Sequence, residues 1–365
     1  MIWVKPYTSS PERETTEKVY LELVARALPF REEDLTGNPA LFPEKLFDSK
    51  KSKAKNQPTS EESKTFIQEY SNELYNFLFE NGKLNRESLY TLLFSPMDEQ
   101  SLKEKKLCFA HGDDPGKMQR VFSYDRFSSS SKIYAFMRLL NVPVCPYCNR
   151  SFTTTLVKGK RSRIKTRPEL DHYLPKNRYP YFALSIMNLV PSCGTCNRLK
   201  SNRDERILYP YAEGMGESFR FETKPKKDMS YLIGARVDFD LRLSRHGTPG
   251  PSFQQRAENS QKILGLTELY QEAHRDFVSD LFFQRYVFTD ELLDELLEEF
   301  GKEGCRLFES KDDIKRLLYL RSIGVEDWGE RPLSKLAHDI DLEISELEAA
   351  KKREKESKSK ASPEN

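Results

Sequence analysis

Apolar residues recur at helical spacing along much of the chain, which predicts a protein built mainly of helices. The pattern covers residues 61–80, 86–94 and 129–140, and it returns from about residue 253 onward. An Asn-Gly pair follows the first segment and predicts the end of that helix, since both residues favour the left-handed conformation found at helix ends.

Shorter segments are rich in β-branched and aromatic residues or alternate in polarity, which is typical of strands. Ser151–Val157 and Pro168–His172 are predicted to pair across a basic turn, and residues 219–221 and 237–243 supply two further strands. Helices combined with a few short strands predict an α+β fold.

The composition is that of a folded protein. The 365 residues include 23 Phe and 17 Tyr, which give a core large side chains to bury although 32% of the residues are charged. The first residues lack the features of a signal peptide, and no apolar stretch approaches the roughly 20 residues of a membrane span. We therefore expect a soluble protein of a reducing, cytoplasmic compartment with no membrane partner.

Four of the six cysteines form two Cys-x-x-Cys pairs, Cys145-Pro-Tyr-Cys148 and Cys193-Gly-Thr-Cys196. Two such pairs can bind one tetrahedral Zn²⁺, and a closed four-thiolate site leaves no open position, so the zinc is expected to be structural. The alternatives are a redox pair, which needs only one Cys-x-x-Cys, and buried cysteines paired by coincidence.

A carboxylate, an imidazole and two carboxamides lie in and beside the segment between the cysteine pairs. Asp171 and Asn197 offer oxygen ligands that suit Mg²⁺ or Mn²⁺. His172 is expected to point to the other side of its strand from Asp171 and to act as a general base toward water, while Asn188 orients the imidazole. This combination suits hydrolysis of a phosphodiester, which needs a deprotonated water and a cation.

The order Asp-His-x-x-Pro, Asn, and a second Asn nine positions later, framed by Cys-x-x-Cys pairs, resembles the HNH (ββα-metal) nuclease superfamily. In that family the His is the general base, the preceding Asp and the last His or Asn hold a divalent metal, and the middle Asn orients the base. The resemblance implies these roles for His172, for Asp171 with Asn197, and for Asn188.

A narrower resemblance covers more of the chain. Residues 145–150, 170–180, 183–185 and 188–197 look like the HNH proteins of bacterial anti-phage systems, and residues 332–336, Pro-Leu-Ser-Lys-Leu, look like a recurring element of the same group. Those proteins pair with an ABC/AAA-type ATPase, as in Septu and some retron systems. The resemblance implies a bacterial cytoplasmic effector, docking of an ATPase by the helical flanks, and cleavage that leaves 5′-phosphate and 3′-hydroxyl ends.

Local charge favours a nucleic-acid substrate. Residues 145–207 contain 13 Lys and Arg against 4 Asp and Glu, a net charge of +9, whereas the whole chain has a formal charge of +2. Basic residues 158–167 form a turn that suits a phosphate backbone, although a solvated turn is the alternative. The individual phosphate-contact candidates are Lys176, Arg198, Lys200 and Arg203.

The predicted architecture is an α+β protein with a ββα-metal module and structural zinc embedded between mainly helical regions. The module covers residues 129–212. A helical N-terminal region (1–128) precedes it, a mainly helical region with a short β segment (213–348) follows it, and residues 349–365 form a disordered tail.

Three other functions remain open from the residues alone. An RNA nuclease, such as a tRNA-cleaving effector of a retron-type system, uses the same chemistry, although DNA is the favoured substrate. A non-catalytic zinc module that binds nucleic acid or a partner protein would not require all four of Asp171, His172, Asn188 and Asn197. A homing or restriction enzyme acting alone is disfavoured because no sequence-reading motif is evident.

Overall fold

The computed structural model describes residues 1–5, 7–42, 46–47, 57–158, 164–226, 239–300, 307–321 and 324–361. Their contacts divide the chain into two units. The N-terminal unit consists of Trp3–Val142 and Thr153–Glu213, and the C-terminal unit consists of Met1–Ile2, Pro143–Phe152 and Gly214–Asn365. Helices dominate and the sheets are small, so the predicted α+β class is confirmed.

The N-terminal unit contains helices and short two- or three-stranded sheets. Its helices are α1 (Arg13–Ala27), α2 (Ser60–Tyr70), α3 (Asn72–Leu78), α4 (Arg86–Phe94), α5 (Glu99–Glu104), α6 (Pro115–Val121), α7 (Tyr124–Ser128), α8 (Ile133–Leu140) and α9 (Gly194–Lys200). Its strands are β1 (Leu35–Thr36), β2 (Phe79–Glu80), β3 (Lys83–Asn85), β4 (Leu156–Val157), β5 (Lys165–Thr166), β6 (Glu169–His172) and β7 (Leu189–Ser192). The sheets have the orders β1-β3-β2, β4-β5 and β6-β7.

An aromatic cluster forms part of the core of the N-terminal unit where α1 packs on α7 and α8. The ring of Tyr20 contacts Phe127 and Phe136 at centroid distances of 6.1 and 5.7 Å. The Tyr20 hydroxyl donates a hydrogen bond of 2.5 Å to the carbonyl oxygen of Leu184. Helix α1 therefore helps to fix the buried segment around Leu184, which lies beside the candidate site.

The C-terminal unit is built on a two-stranded antiparallel sheet with helices packed against it. Its strands are β8 (Phe219–Pro225) and β9 (Phe239–Arg245), and its helices are α10 (Pro251–Leu264), α11 (Leu266–Ala273), α12 (Arg275–Val287), α13 (Asp290–Phe300), α14 (Lys311–Tyr319) and α15 (Ser334–Ala361). Alternate residues of the two strands are buried, including Phe219, Phe221, Leu241 and Leu243. Helix α15 packs on β8 and α12, and α11 packs on β9.

The start of α15 is held by Asn149, which follows the first cysteine pair. Asn149 is buried and has a left-handed backbone, with φ of 52°. Its carbonyl oxygen accepts from the amide of Leu333 at 2.6 Å, its side-chain oxygen accepts from the amide of Lys335 at 3.0 Å, and its Nδ2 donates to the carbonyl of Trp328 at 2.8 Å. These bonds join two segments that the narrower sequence resemblance singled out separately, 145–150 and 332–336.

Strand β6 has a different partner from the one that the sequence predicted. Strand β6 pairs with β7, with Asp171 opposite Val190 and His172 opposite Leu189, whereas Ser151–Val157 was predicted as the partner of Pro168–His172. The residues of β7 are buried, whereas Leu156 in the predicted partner is exposed. Pairing with β7 therefore removes more apolar surface from water.

Helix α15 continues to Ala361, across most of the segment 349–365 that was predicted as a disordered tail. Its Ala, Glu and Lys residues are strong helix formers, which accounts for the continuation. Among the helices that the structure describes, none has the length and apolar character needed to cross a membrane.

Candidate metal centre and active site

The two cysteine pairs come together. The Sγ atoms of Cys145, Cys148, Cys193 and Cys196 all lie within 4.8 Å of one another. Tetrahedral zinc with Zn–S bonds of about 2.3 Å requires sulfurs about 3.8 Å apart, so this arrangement suits one ion. The predicted gathering of the two pairs is confirmed, and the set is consistent with structural zinc.

Backbone amides support the sulfurs in both pairs. The amide of Arg150 lies 3.4 Å from Cys148 Sγ, and the amide of Cys196 lies 3.5 Å from Cys193 Sγ. Such N–H donors stabilise thiolates, which are the form that binds zinc. Cys193 is also the N-cap of α9, so the second pair fixes the start of the helix that carries Asn197 and Lys200.

Strands β6 and β7 and helix α9 place the predicted catalytic residues around one cavity of about 400 Å³. Helix α9 packs on β6. The lining side chains that bear on the chemistry are Tyr124, Arg167, Glu169, Asp171, His172, Lys176, Asn197 and Arg198. Asp171, His172 and Asn197 are therefore brought together, whereas Asn188 is fully buried and is not among the residues that line the cavity.

His172 is held so that one ring nitrogen is committed to a hydrogen bond and the other carries the lone pair of the neutral ring. Nε2 lies 3.0 Å from the carbonyl oxygen of Ala183, and a carbonyl only accepts, so Nε2 carries the proton of the neutral ring. Burial lowers the pKa of His172 to about 3; Lys176 and Lys200 lower it further, whereas the Ala183 carbonyl opposes the shift. The imidazole is thus neutral at pH 7 with its lone pair on Nδ1.

Asn188 supports the site indirectly. Its Oδ1 accepts from the amide of Leu174 at 2.7 Å, and its Nδ2 donates to the carbonyls of Leu174 and Phe182 at 3.1 Å each. The sequence prediction was that its amide orients the imidazole directly. The amide instead fixes the backbone next to Ala183, whose carbonyl holds His172.

Asp171 is paired with Lys200. The Lys200 Nζ lies 3.0 Å from Oδ2 and 3.3 Å from Oδ1 of Asp171, and it donates to the carbonyl oxygen of His172 at 2.6 Å. Both side chains are at most 4% exposed. The prediction that Lys200 is an accessible phosphate contact is therefore wrong. Lys200 is the last residue of α9, and its side chain turns inward onto β6.

The oxygen donors of the cavity fit a hard divalent cation by chemistry. Asp171 contributes a carboxylate, Asn197 an amide oxygen, and Glu169, two residues before Asp171 on β6, a second carboxylate. Asn197 Nδ2 donates to Glu169 Oε2 at 2.6 Å, which leaves the Asn197 oxygen for other partners. Within the described part of the chain, the four cysteines are the one cluster of three or more His, Cys, Asp or Glu ligands. A cation here would therefore depend on Asn197 and water besides Asp171.

The other basic candidates lie on or near the rim of the cavity. Arg198 and Arg203 are exposed, and Lys176 is half-buried with its Nζ 5.2 Å from the centroid of the Tyr124 ring. Arg203 lies beyond the end of α9. Of the basic turn 158–167, residues 159–163 lie outside the described residues.

Tyr124 and Glu169 belong to the cavity although sequence patterns did not select them. Tyr124 begins α7, in the predicted helical N-terminal region, and its ring packs edge-to-face on His172 at a centroid distance of 4.5 Å. Nothing in its sequence spacing relates it to His172. Glu169 could have been selected from the sequence, since residues i and i+2 of a strand share a face and Asp171 was already a candidate.

No family model, curated protein or solved structure matches this chain.

Proposed function

We propose that this protein is a metal-dependent endonuclease of the HNH type that hydrolyses DNA phosphodiester bonds. The observation that carries the proposal is the shared cavity, in which a neutral, oriented imidazole and the oxygen donors Asp171 and Asn197 line the same space. The resemblance of residues 145–197 to HNH nucleases supports it independently.

In this proposal His172 is the general base. Its Nε2 is held by the Ala183 carbonyl, so Nδ1 receives the proton of the attacking water. Asn188 keeps the surrounding backbone in place, and the edge-to-face contact with Tyr124 restricts the ring. A base held in one orientation loses little entropy on reaching the transition state.

Asp171 and Asn197 are the residues that would hold Mg²⁺ or Mn²⁺, which when bound supplies positive charge to the scissile phosphate and the leaving oxygen. Arg198, Arg203 and Lys176 would bind neighbouring phosphates, consistent with the charge of +9 in residues 145–207. The cysteine cluster, with structural zinc, would fix the start of α9 and hence Asn197.

We propose further that the nuclease is an effector of bacterial anti-phage defence controlled by an ABC/AAA-type ATPase. Its support is the sequence resemblance of residues 145–197 and 332–336. Co-expression with a candidate ABC/AAA-type ATPase of such a defence system should yield a stable complex on size-exclusion chromatography. Separate elution at micromolar concentrations would contradict the partnership.

Nicking of supercoiled plasmid tests the nuclease. Wild type should nick with Mg²⁺ or Mn²⁺ and stop when EDTA is added, and His172→Ala should lose at least about a hundredfold in rate because the base is absent. His246→Ala is the matched control, since His246 is not among the residues that line the cavity and pairs with Glu222. Zinc content and a thermal melt must match wild type in both variants.

The same assay on single-stranded RNA and tRNA decides the substrate class. Cleavage of RNA but not plasmid would replace DNA by RNA. Cleavage of either substrate that survives His172→Ala would reject the assigned base. Lack of cleavage by zinc-loaded wild type, alone and with the ATPase, would favour a binding module.

A further inference from the structure

Lys200 is a buried cation at the carboxylate that the proposed function assigns to a divalent metal. The ammonium group has three N–H donors, and its contacts are both oxygens of Asp171 and the carbonyl of His172, at 3.0, 3.3 and 2.6 Å. A buried lysine is costly to desolvate unless its charge and its donors are satisfied. These three contacts satisfy it at the end of β6, between the two main candidate residues.

The same pair opposes the binding of a second cation. A carboxylate that is neutralised at 3.0 Å by a buried ammonium attracts a divalent ion far less than one facing water. Lys176, at the same cavity, adds further positive potential, while Glu169 and Asn197 supply the compensating oxygens. A divalent ion can use Asp171 fully only if Lys200 withdraws from it.

Helix α9 couples the ammonium to the second metal ligand. Asn197 and Lys200 are three residues apart on α9 and so lie on neighbouring positions of one face. The helix ends at Lys200, and the next residue, Ser201, has a left-handed φ of 48°, a conformation that costs energy for a residue with a side chain. A shift of the last turn of α9 would move Lys200 and Asn197 together.

We propose that Lys200 is the resident counter-ion of the metal site: it keeps Asp171 paired and β6 ordered without metal, and it sets a low metal affinity because the ion must displace it. The inference rests on the proposed function for the identity of the site. It makes Lys200 a positioning residue that regulates metal occupancy, distinct from the phosphate contact that the sequence predicted.

Binding of Mn²⁺ to the full-length, zinc-loaded protein tests this directly, with the free ion measured by electron paramagnetic resonance. Lys200→Met and Lys200→Gln should each lower the Mn²⁺ dissociation constant by about tenfold or more, because a like charge next to the ligand is removed. The double variant Lys200→Met/Asp171→Asn should lose this gain. Lys132→Met is the matched control, since Lys132 is exposed, pairs with Glu22 and is not among the residues that line the cavity.

A wild-type measurement keeps the test valid if the variants do not fold. Lys200 should resist acetylation by acetic anhydride in the metal-free protein, as followed by mass spectrometry, and react several-fold faster with saturating Mg²⁺. Lys335, buried in the C-terminal unit, should stay protected under both conditions.

Unchanged Mn²⁺ affinity in folded Lys200→Met, or acetylation of Lys200 that ignores Mg²⁺, would overturn the inference. A gain in affinity that persists in the double variant would also overturn it, because the ion would then bind elsewhere. These readouts do not use cleavage. A chain that binds Mn²⁺ as described but cuts no nucleic acid would therefore reject the proposed function alone.

Discussion

Tyr124 shows how a single side chain from a distant helix completes the candidate site. Its ring packs on His172 at a centroid distance of 4.5 Å, and the Lys176 ammonium lies over the same ring, 5.2 Å from its centroid. Its hydroxyl lies 3.4 Å from the carbonyl of Leu170, which is a weak bond. The ring, more than the hydroxyl, is therefore expected to matter.

Tyr124→Ala should slow plasmid nicking by about ten- to a hundredfold, because the imidazole loses the wall that restricts it. Tyr124→Phe keeps that wall and should stay within about threefold of wild type. Single-turnover rates at saturating Mn²⁺ measure both variants. Equal losses in the two would assign the role to the hydroxyl and contradict the packing argument.

Single residues of the site differ in how well the sequence predicts them. Cysteine spacing identified all four members of the metal cluster, because two Cys-x-x-Cys turns have few other uses. Lys200 was placed on the correct helix but in the wrong surroundings. The sequence around a lysine does not show whether its side chain reaches solvent or folds back onto a carboxylate. For Lys200 the packing of α9 on β6 decides this and places the ammonium against Asp171.

At the scale of elements, α15 is attached to β8 by a carboxylate whose protonation changes on folding. Glu343 accepts from the amide of Thr223 at 3.1 Å and from its hydroxyl at 2.5 Å. Burial raises the pKa of Glu343 from 4.5 to about 7, with Glu222 and Glu346 raising it further, while the two bonds from Thr223 lower it.

A raised carboxyl pKa means that the folded state binds the proton more tightly than the unfolded state. The contribution of Glu343 to stability is therefore fully present below pH 4.5 and is lost as the pH rises to about 7. Glu343→Gln should remove this fall, so the free energy of unfolding of wild type minus variant should decrease between pH 4.5 and 7. Urea unfolding followed by tryptophan fluorescence measures it. A difference independent of pH would show that Glu343 titrates normally in the folded protein.

Sequence patterns located most of these elements but not how they meet. Residues 86–94 were predicted as a helix and form α4, Arg86–Phe94, because the apolar spacing there coincides with an N-cap at Asn85. The helix predicted over 61–80 is split at Ser71, whose hydroxyl accepts from the amide of Leu74 and starts a new helix. Local capping competes with apolar periodicity, and periodicity alone does not register it.

At the scale of the molecule, the contacts divide the chain differently from a reading along the sequence. Pattern analysis can propose only contiguous segments, such as 129–212 for the nuclease module. The C-terminal unit instead combines Pro143–Phe152 with Gly214–Asn365, because Asn149 is bonded to the segment that starts α15. Long-range hydrogen bonds of this kind leave no periodic trace in the sequence.

Loss of a metal ion from the four-cysteine cluster should affect several elements of the structure. Cys193 caps α9, which carries Asn197 and Lys200, and Cys148 precedes Asn149, which holds the start of α15. Removal of the ion would leave four thiols, most of them buried, without the interaction that fixes these turns.

We therefore expect one zinc ion per chain and a fall in melting temperature on the order of 10 °C when a strong chelator removes it. Cys196→Ser should reproduce the fall, whereas Cys108→Ser, at an exposed cysteine outside the cluster, should not. Hydrogen exchange should accelerate in α9 and in the first turns of α15, since each of these elements is tied to a residue of the cluster or to its neighbour. Exchange that accelerates in neither helix, in protein shown to be free of zinc, would mean that hydrogen bonds and packing hold the turns without the ion.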